Sequence, residues 1–228
     1  MTRDLDDALA MSLGTSALDG HVADAGALGL AALQRLLGSY VWVERRSFEV
    51  LGSWVANETV PEARIAFDVQ SRYHAWHAEL LAERMPAVED VDPAGFVLPP
   101  SAEVDRLLAS LGGAPGSGPG GVLGPSSGGT LLRLVGLARV LLPRLSAQYA
   151  RHLQRCALVA DAPLARAMRL VLRDDREAWV GTEAMVQALV RRPNDVAVVT
   201  AHQQALEELV AGAGPGVVPW PVPGPAGH

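Results

Sequence analysis

Apolar residues recur along most of this chain at steps of three and four, the period of a helix with one buried face, and the two-residue alternation of a strand never persists. The first such stretch spans residues 23–57, with Leu33, Leu36, Leu37, Tyr40, Val41, Phe48, Leu51, Trp54 and Val55 on its apolar side. ANETVPE closes it, and Pro61 sits where a proline opens a new helix, predicting a second one over 61–85 that Pro86 stops. A third helix is predicted over 130–159, with Pro143 inside it implying a kink or break at Leu142. The fourth spans 163–190 and a shorter fifth 195–211. Between the second and third lies a long crossover, 86–130. In it SAEVDRLLASL opens with the side chains of a helix cap, and GGAPGSGPGGVLGPSSGG has the composition of a flexible linker. Residues 1–22 lack periodicity and read as a loose arm, and the Pro/Gly-rich 212–228 reads as a disordered tail. Two long helices, a crossover and two more long helices give an all-α four-helix bundle over residues 23–211, with one long connection and a short fifth helix.

Polar residues that fall inside the apolar stripes carry the chemical signal, because burying a charge is costly unless it is paired. Glu44 lies at the centre of the first stripe, while Arg45, Arg46 and Glu49 fall on the opposite side. On the second helix Ala63, Ala66, Phe67, Tyr73, Leu80 and Leu81 define the buried face. His77 lies near its middle, His74 towards one edge and Gln70 beside them. Counted outward from the turn at 57–61, Glu44 and His74 stand at one height in an antiparallel hairpin, so Glu44, His74 and His77 are placed to meet. On the fourth helix Asp174 and Asp175 fall on or beside the apolar side. On the third, Tyr149 lines the stripe, Ser146 and His152 flank it and Gln148 lies further out.

Composition narrows the function classes. The net charge is −6 and no block of Lys or Arg interrupts it, which argues against nucleic acid, where phosphate neutralisation supplies the affinity. A single cysteine, Cys156, precludes an internal disulfide. The opening MTRDLDDALAMSLG lacks the basic start and apolar run of a secretory signal, and no stretch has the length and apolarity of a membrane span. The expectation is a cytoplasmic protein with no membrane partner. The Gly-rich run lacks the Gly-Lys-Ser/Thr ending of a phosphate loop.

The layout, together with Glu44 and His74-Ala-Trp-His77, resembles the ferritin-like superfamily. Its dinuclear members supply a Glu from each of two helices and a Glu-x-x-His pair from each of the other two. The resemblance implies that Glu44 takes the place of the first-helix carboxylate and His77 that of the second-helix histidine. His74 stands where that family has Glu. Glu177-Ala-Trp-Val180 echoes the His74–His77 stretch but ends in Val, and the third helix offers no inward Glu. These departures point away from a dinuclear centre and towards one metal held by Glu44, His74, His77 and Asp174. Such a nitrogen and oxygen set suits Fe, Mn or Zn, and the resemblance favours Fe or Mn. Gln70, Gln148, Tyr149, His152 and Asp175 would line the pocket. The activity implied is that of a non-haem metal oxygenase or oxidase acting on a small molecule. The alternative is a bundle without cofactor or catalysis, its buried polar groups bonded to one another, that binds a protein partner or dimerises through exposed tryptophan and apolar surface. Trp42, Trp54, Trp76 and Trp179 would then be packing or interface groups, and Trp220 in the tail a docking element.

Overall fold

In the computed structural model, which describes residues 28–88, 91–112, 128–157, 159–213 and 216–220, helix follows helix and no strand forms among the described residues. Helix α1 (Leu30–Val55) and helix α2 (Pro61–Ala82) make the first hairpin. Pro61 sits in the first turn of α2, where its missing N–H would have no intrahelical partner anyway. The turn between them is locked by Glu58. Its buried carboxylate accepts from the N–H groups of Thr59 and Val60, from the Thr130 hydroxyl and from Arg133 at 3.2 Å. One carboxylate thus fixes the turn that leads into α2 and ties it to the start of the second helical pair.

The crossover is more structured than its composition suggests. A single 3₁₀ turn (Pro93–Phe96) lies against α1, and Gly38 makes this approach feasible: a Cβ there would stand 2.2 Å from the Phe96 carbonyl oxygen. Helix α3 (Ala102–Gly112) follows, its first turn capped by Ser101 Oγ, which accepts from the Val104 N–H at 3.3 Å. Val104, Leu107, Leu108 and Leu111 of α3 are buried, each contributing about 2 kcal/mol of apolar burial. Trp54 Nε1 donates to the Leu111 carbonyl at 3.1 Å.

Of the kink or break predicted at Leu142, the break does not occur, and the helix is instead irregular directly before that residue. Helix α4 (Gly128–Val135), a π-helical turn (Gly136–Leu141) and helix α5 (Leu142–Leu153) form one continuous run. The Leu142 N–H donates to the Leu137 carbonyl, five residues back. The widened turn directly before Pro143 accommodates a ring that a regular α-helix would drive into the preceding carbonyl. Helix α6 (Ala162–Leu189) and helix α7 (Pro193–Leu209) complete the regular structure among the described residues.

Side-chain bonds fix the directions. Glu44 meets His74, and Ser71 bonds the Phe48 carbonyl, so α1 and α2 are antiparallel. Tyr40 meets His152 and Glu44 meets Tyr149, so α1 and α5 are antiparallel as well. Gln70 to Thr182 and His77 to Asp174 make α2 and α6 antiparallel. Thus α1 and α6 run one way, and α2 and the α4–α5 run the other, around an interior of Leu and Val with Tyr40, Trp54 and Phe67.

Three expectations need correcting. Phe48 and Tyr73, predicted on the buried faces, stand at the stripe edges and are 43% and 42% exposed. The tail, predicted to be disordered, returns to the bundle at residues 216–220, where Val217 and Val218 are buried in the core cluster. Apolar side chains with a ready-made groove beneath them overcome the local bias of Pro and Gly. The predicted arm at 1–22, most of the Gly-rich linker (113–127) and the tail beyond 220 lie outside the described residues.

Candidate metal centre in the bundle interior

Glu44 is wholly buried on α1, and both of its oxygens are engaged. Oε1 accepts from the Tyr149 hydroxyl of α5. Oε2 lies 2.5 Å from His74 Nδ1 and 3.5 Å from His77 Nδ1, both on α2. Glu44, His74 and His77 each offer a ligand atom, and these atoms lie within 4.8 Å of one another. The hairpin register read from the turn at 57–61 therefore brings together the residues it was expected to.

The two aspartates of α6 divide around the His77 ring. Asp175 Oδ1 lies 3.8 Å from Nδ1, the ring edge that faces Glu44. Asp174 Oδ2 lies 3.4 Å from Nε2, on the other edge, and its second oxygen accepts from Arg173. One imidazole nitrogen cannot point both ways, so Asp174 is not placed to share a metal with the Nδ1 side. Asp175, expected to line the pocket, stands on the Glu44 side of the ring and Asp174, expected to be a ligand, on the other, and neither is within 4.8 Å of all three of Glu44, His74 and His77.

Asp175 Oδ2 is buried with no hydrogen-bond partner, and the buried His77 Nδ1 has only the long approaches of Glu44 Oε2 at 3.5 Å and Asp175 Oδ1 at 3.8 Å. A buried polar atom left unpaired costs about 1–3 kcal/mol, so an orphaned carboxylate oxygen beside an imidazole held only by long contacts calls for an explanation. Glu44 and Asp175 also have no Lys or Arg ion pair among the described residues. Binding a divalent cation here would require His77 to give up its proton, and the ion's charge would then balance the carboxylates of Glu44 and Asp175. The converging donors, two imidazole nitrogens and the Glu44 carboxylate, suit a transition metal, with Asp175 next to His77. Asp174 on Nε2 would then orient the ligating imidazole, the usual place for such a carboxylate.

The electrostatics follow the same geometry. Burial disfavours a charge on Glu44, but the field and hydrogen bond of His74, with His77 adding to both, hold its carboxyl well below the usual carboxylate range. Burial likewise opposes a charge on His77, yet Glu44, then Asp175 and Asp174, outweigh it and raise the imidazole to about 9. Asp175 is raised to about 7 by burial and by the Glu44 charge beside it. Burial, Glu44 and Asp175 push Tyr149 well above the ordinary tyrosine range, so it stays protonated and donates to Glu44.

The remaining predicted lining residues divide between two neighbouring layers. Gln148 donates through Nε2 to the Tyr40 hydroxyl at 2.9 Å, and the Tyr40 hydroxyl lies 3.1 Å from His152 Nδ1. Tyr40 precedes Glu44 by one helical turn, so His152 and Gln148 belong one turn away from Glu44 rather than beside it. Gln148, expected furthest out, is buried in part because residues 216–220 cover it. Gln70 bonds Thr182 at 2.9 Å, one turn from His74 on the opposite side. Tyr40 was not singled out from the sequence, although its four-residue spacing from Glu44 on the same face is visible there. Tyr73 stacks on the His77 ring at 6.2 Å and Trp76 tilts against it at 5.6 Å, so two half-exposed aromatics stand between His77 and solvent.

No helix among the described residues is long and apolar enough to cross a membrane. The chain matches no family model, no curated protein and no solved structure.

Proposed function

We propose that this chain is a ferritin-like four-helix-bundle protein that holds one divalent transition-metal ion, iron or manganese, and uses it for oxidase or oxygenase chemistry on a small molecule. The observation that carries this reading is the meeting of Glu44, His74 and His77 within 4.8 Å, with Asp175 Oδ2 buried and without a partner beside them. The antiparallel α1–α2 and α5–α6 hairpins, joined by one long crossover, support the ferritin-like arrangement. Glu44, His74, His77 and Asp175 would be the ligands, and the ion they hold would supply a Lewis-acidic, redox-active centre. Tyr149 anchors the Glu44 carboxylate, and Asp174 fixes the His77 ring. Tyr73 and Trp76 shield the imidazole from bulk water.

A second reading has its own support: His74 and Tyr149 already satisfy both Glu44 oxygens, so a closed network without metal is chemically complete at that residue. The bundle would then be a non-catalytic partner-binding or dimerising module. Metal analysis of protein expressed with added iron and manganese separates the two. Near-stoichiometric metal, lost in both Glu44→Ala and His77→Ala, supports the first reading; wild-type protein free of metal after such expression refutes it.

A further inference from the structure

We infer that residues 216–220 form a strap that closes over the Tyr40–Gln148–His152 layer and lifts to let small molecules reach the Glu44 site. The strap has no regular secondary structure. Val217 and Val218 are buried, and the Val218 N–H donates to Gln148 Oε1 at 3.3 Å. Gly216 rests directly on the same amide: a Cβ there would stand 2.0 Å from Gln148 Oε1. The Trp220 ring stands edge-on to His152 with centroids 5.3 Å apart, and the Arg155 guanidinium lies 4.5 Å above Trp220.

What the strap covers is polar and leads inward. Gln148, His152 and Tyr40 are each almost fully buried and linked by hydrogen bonds. Tyr40 packs edge-on against Tyr149 at 5.4 Å, and the Tyr149 hydroxyl bonds Glu44. A single pair of tyrosine rings therefore separates the strap's underside from the carboxylate. With the strap lifted, the layer would present an amide oxygen, an imidazole and a hydroxyl, a set that accepts a small neutral molecule able to donate and receive hydrogen bonds. An irregular segment attached through a backbone hydrogen bond, two buried valines and the ring contacts of Trp220 has the features of a region that opens locally while the core stays folded.

The test uses the full chain and two variants, Trp220→Ala and Arg155→Met. Diethylpyrocarbonate modification of His152, mapped by peptide mass spectrometry, reports exposure of the covered layer and needs no metal. Trp220→Ala is expected to speed this modification by about tenfold or more and Arg155→Met by less, with His74 and His77 still protected. Equal rates in all three proteins would overturn the strap. So would His74 and His77 becoming reactive together with His152, because that is opening of the whole bundle. A second arm, which alone rests on the metal reading, measures metal release to a chelator: the Trp220→Ala protein should start with the same metal content and lose it several-fold faster. Unchanged release would overturn the claim that the strap controls access. If the wild-type chain takes up no metal, the metal reading falls, and the His152 arm alone decides whether the strap opens.

Discussion

His152 should make this protein acid-sensitive. It lies on α5 with its Nδ1 against the Tyr40 hydroxyl of α1 and its ring against Trp220, beyond which the Arg155 guanidinium is stacked. Burial lowers its pKa from 6.5 to about 4, and the Asp161 charge offsets only part of that. The sign follows from where the proton binds. Between these two values the unfolded chain is protonated at this residue and the folded chain is not, so stability falls as pH falls through that window and is retained above it. Going from about pH 7 to about pH 5, the linkage amounts to about 2 kcal/mol. The perturbation is His152→Gln, which stays neutral and can still bond the Tyr40 hydroxyl. Urea unfolding followed by circular dichroism at several pH values gives the stability of each protein. Asp175 also titrates in this range, but it is common to both proteins and cancels in their difference. The wild-type chain should lose about 2 kcal/mol relative to the variant on acidification. A difference that does not change with pH would show that the folded protein accepts the proton on His152 at little cost, and the burial argument would be wrong.

Two further outcomes follow from the packing. Asp175→Asn should abolish stoichiometric metal, whereas Asp174→Asn, which removes only the group orienting His77, should weaken affinity by about tenfold to a hundredfold; metal titration of the purified variants ranks them, and the reverse order would refute the division of roles around the His77 ring. Gly38→Ala should destabilise by about 1–3 kcal/mol in urea, because the new methyl meets backbone at Phe96 rather than a side chain that could turn away; unchanged stability would mean that the 3₁₀ turn of the crossover is not held against α1.

What could be read from the residues, and what could not, divides along a physical line. Glu44, His74 and His77 were legible because a helix of known period, counted from a turn marked by Asn57 and Pro61, fixes both the face and the height of each side chain. Of the crossover helix only the capping chemistry of SAEVDRLLASL was legible, and the expected layout of five helices did not include it. Choosing between Asp174 and Asp175 was beyond that method. Neighbouring residues differ by about 100° around a helix, so a modest rotation of α6 against α2 decides which carboxylate faces His77 Nδ1, and tertiary contacts such as Gln70 to Thr182 set that rotation. Pro143 was visible as a missing donor, but a continuous helix can absorb it with one widened turn, a choice that the surrounding packing makes.

The tail carries the same lesson to the site itself. Its Pro and Gly content describes the conformations the segment has when nothing is beside it, whereas Val217, Val218 and Trp220 meet a groove already lined by Tyr40, Gln148 and His152. Gln148 and His152 are in direct contact with this segment, so the burial of Gln148 could not be placed from the periodicity of its own helix. The burial of the layer next to Glu44 is therefore a property of the C-terminal segment as much as of the bundle, and a substitution as distant in sequence as Trp220 should be felt at His152.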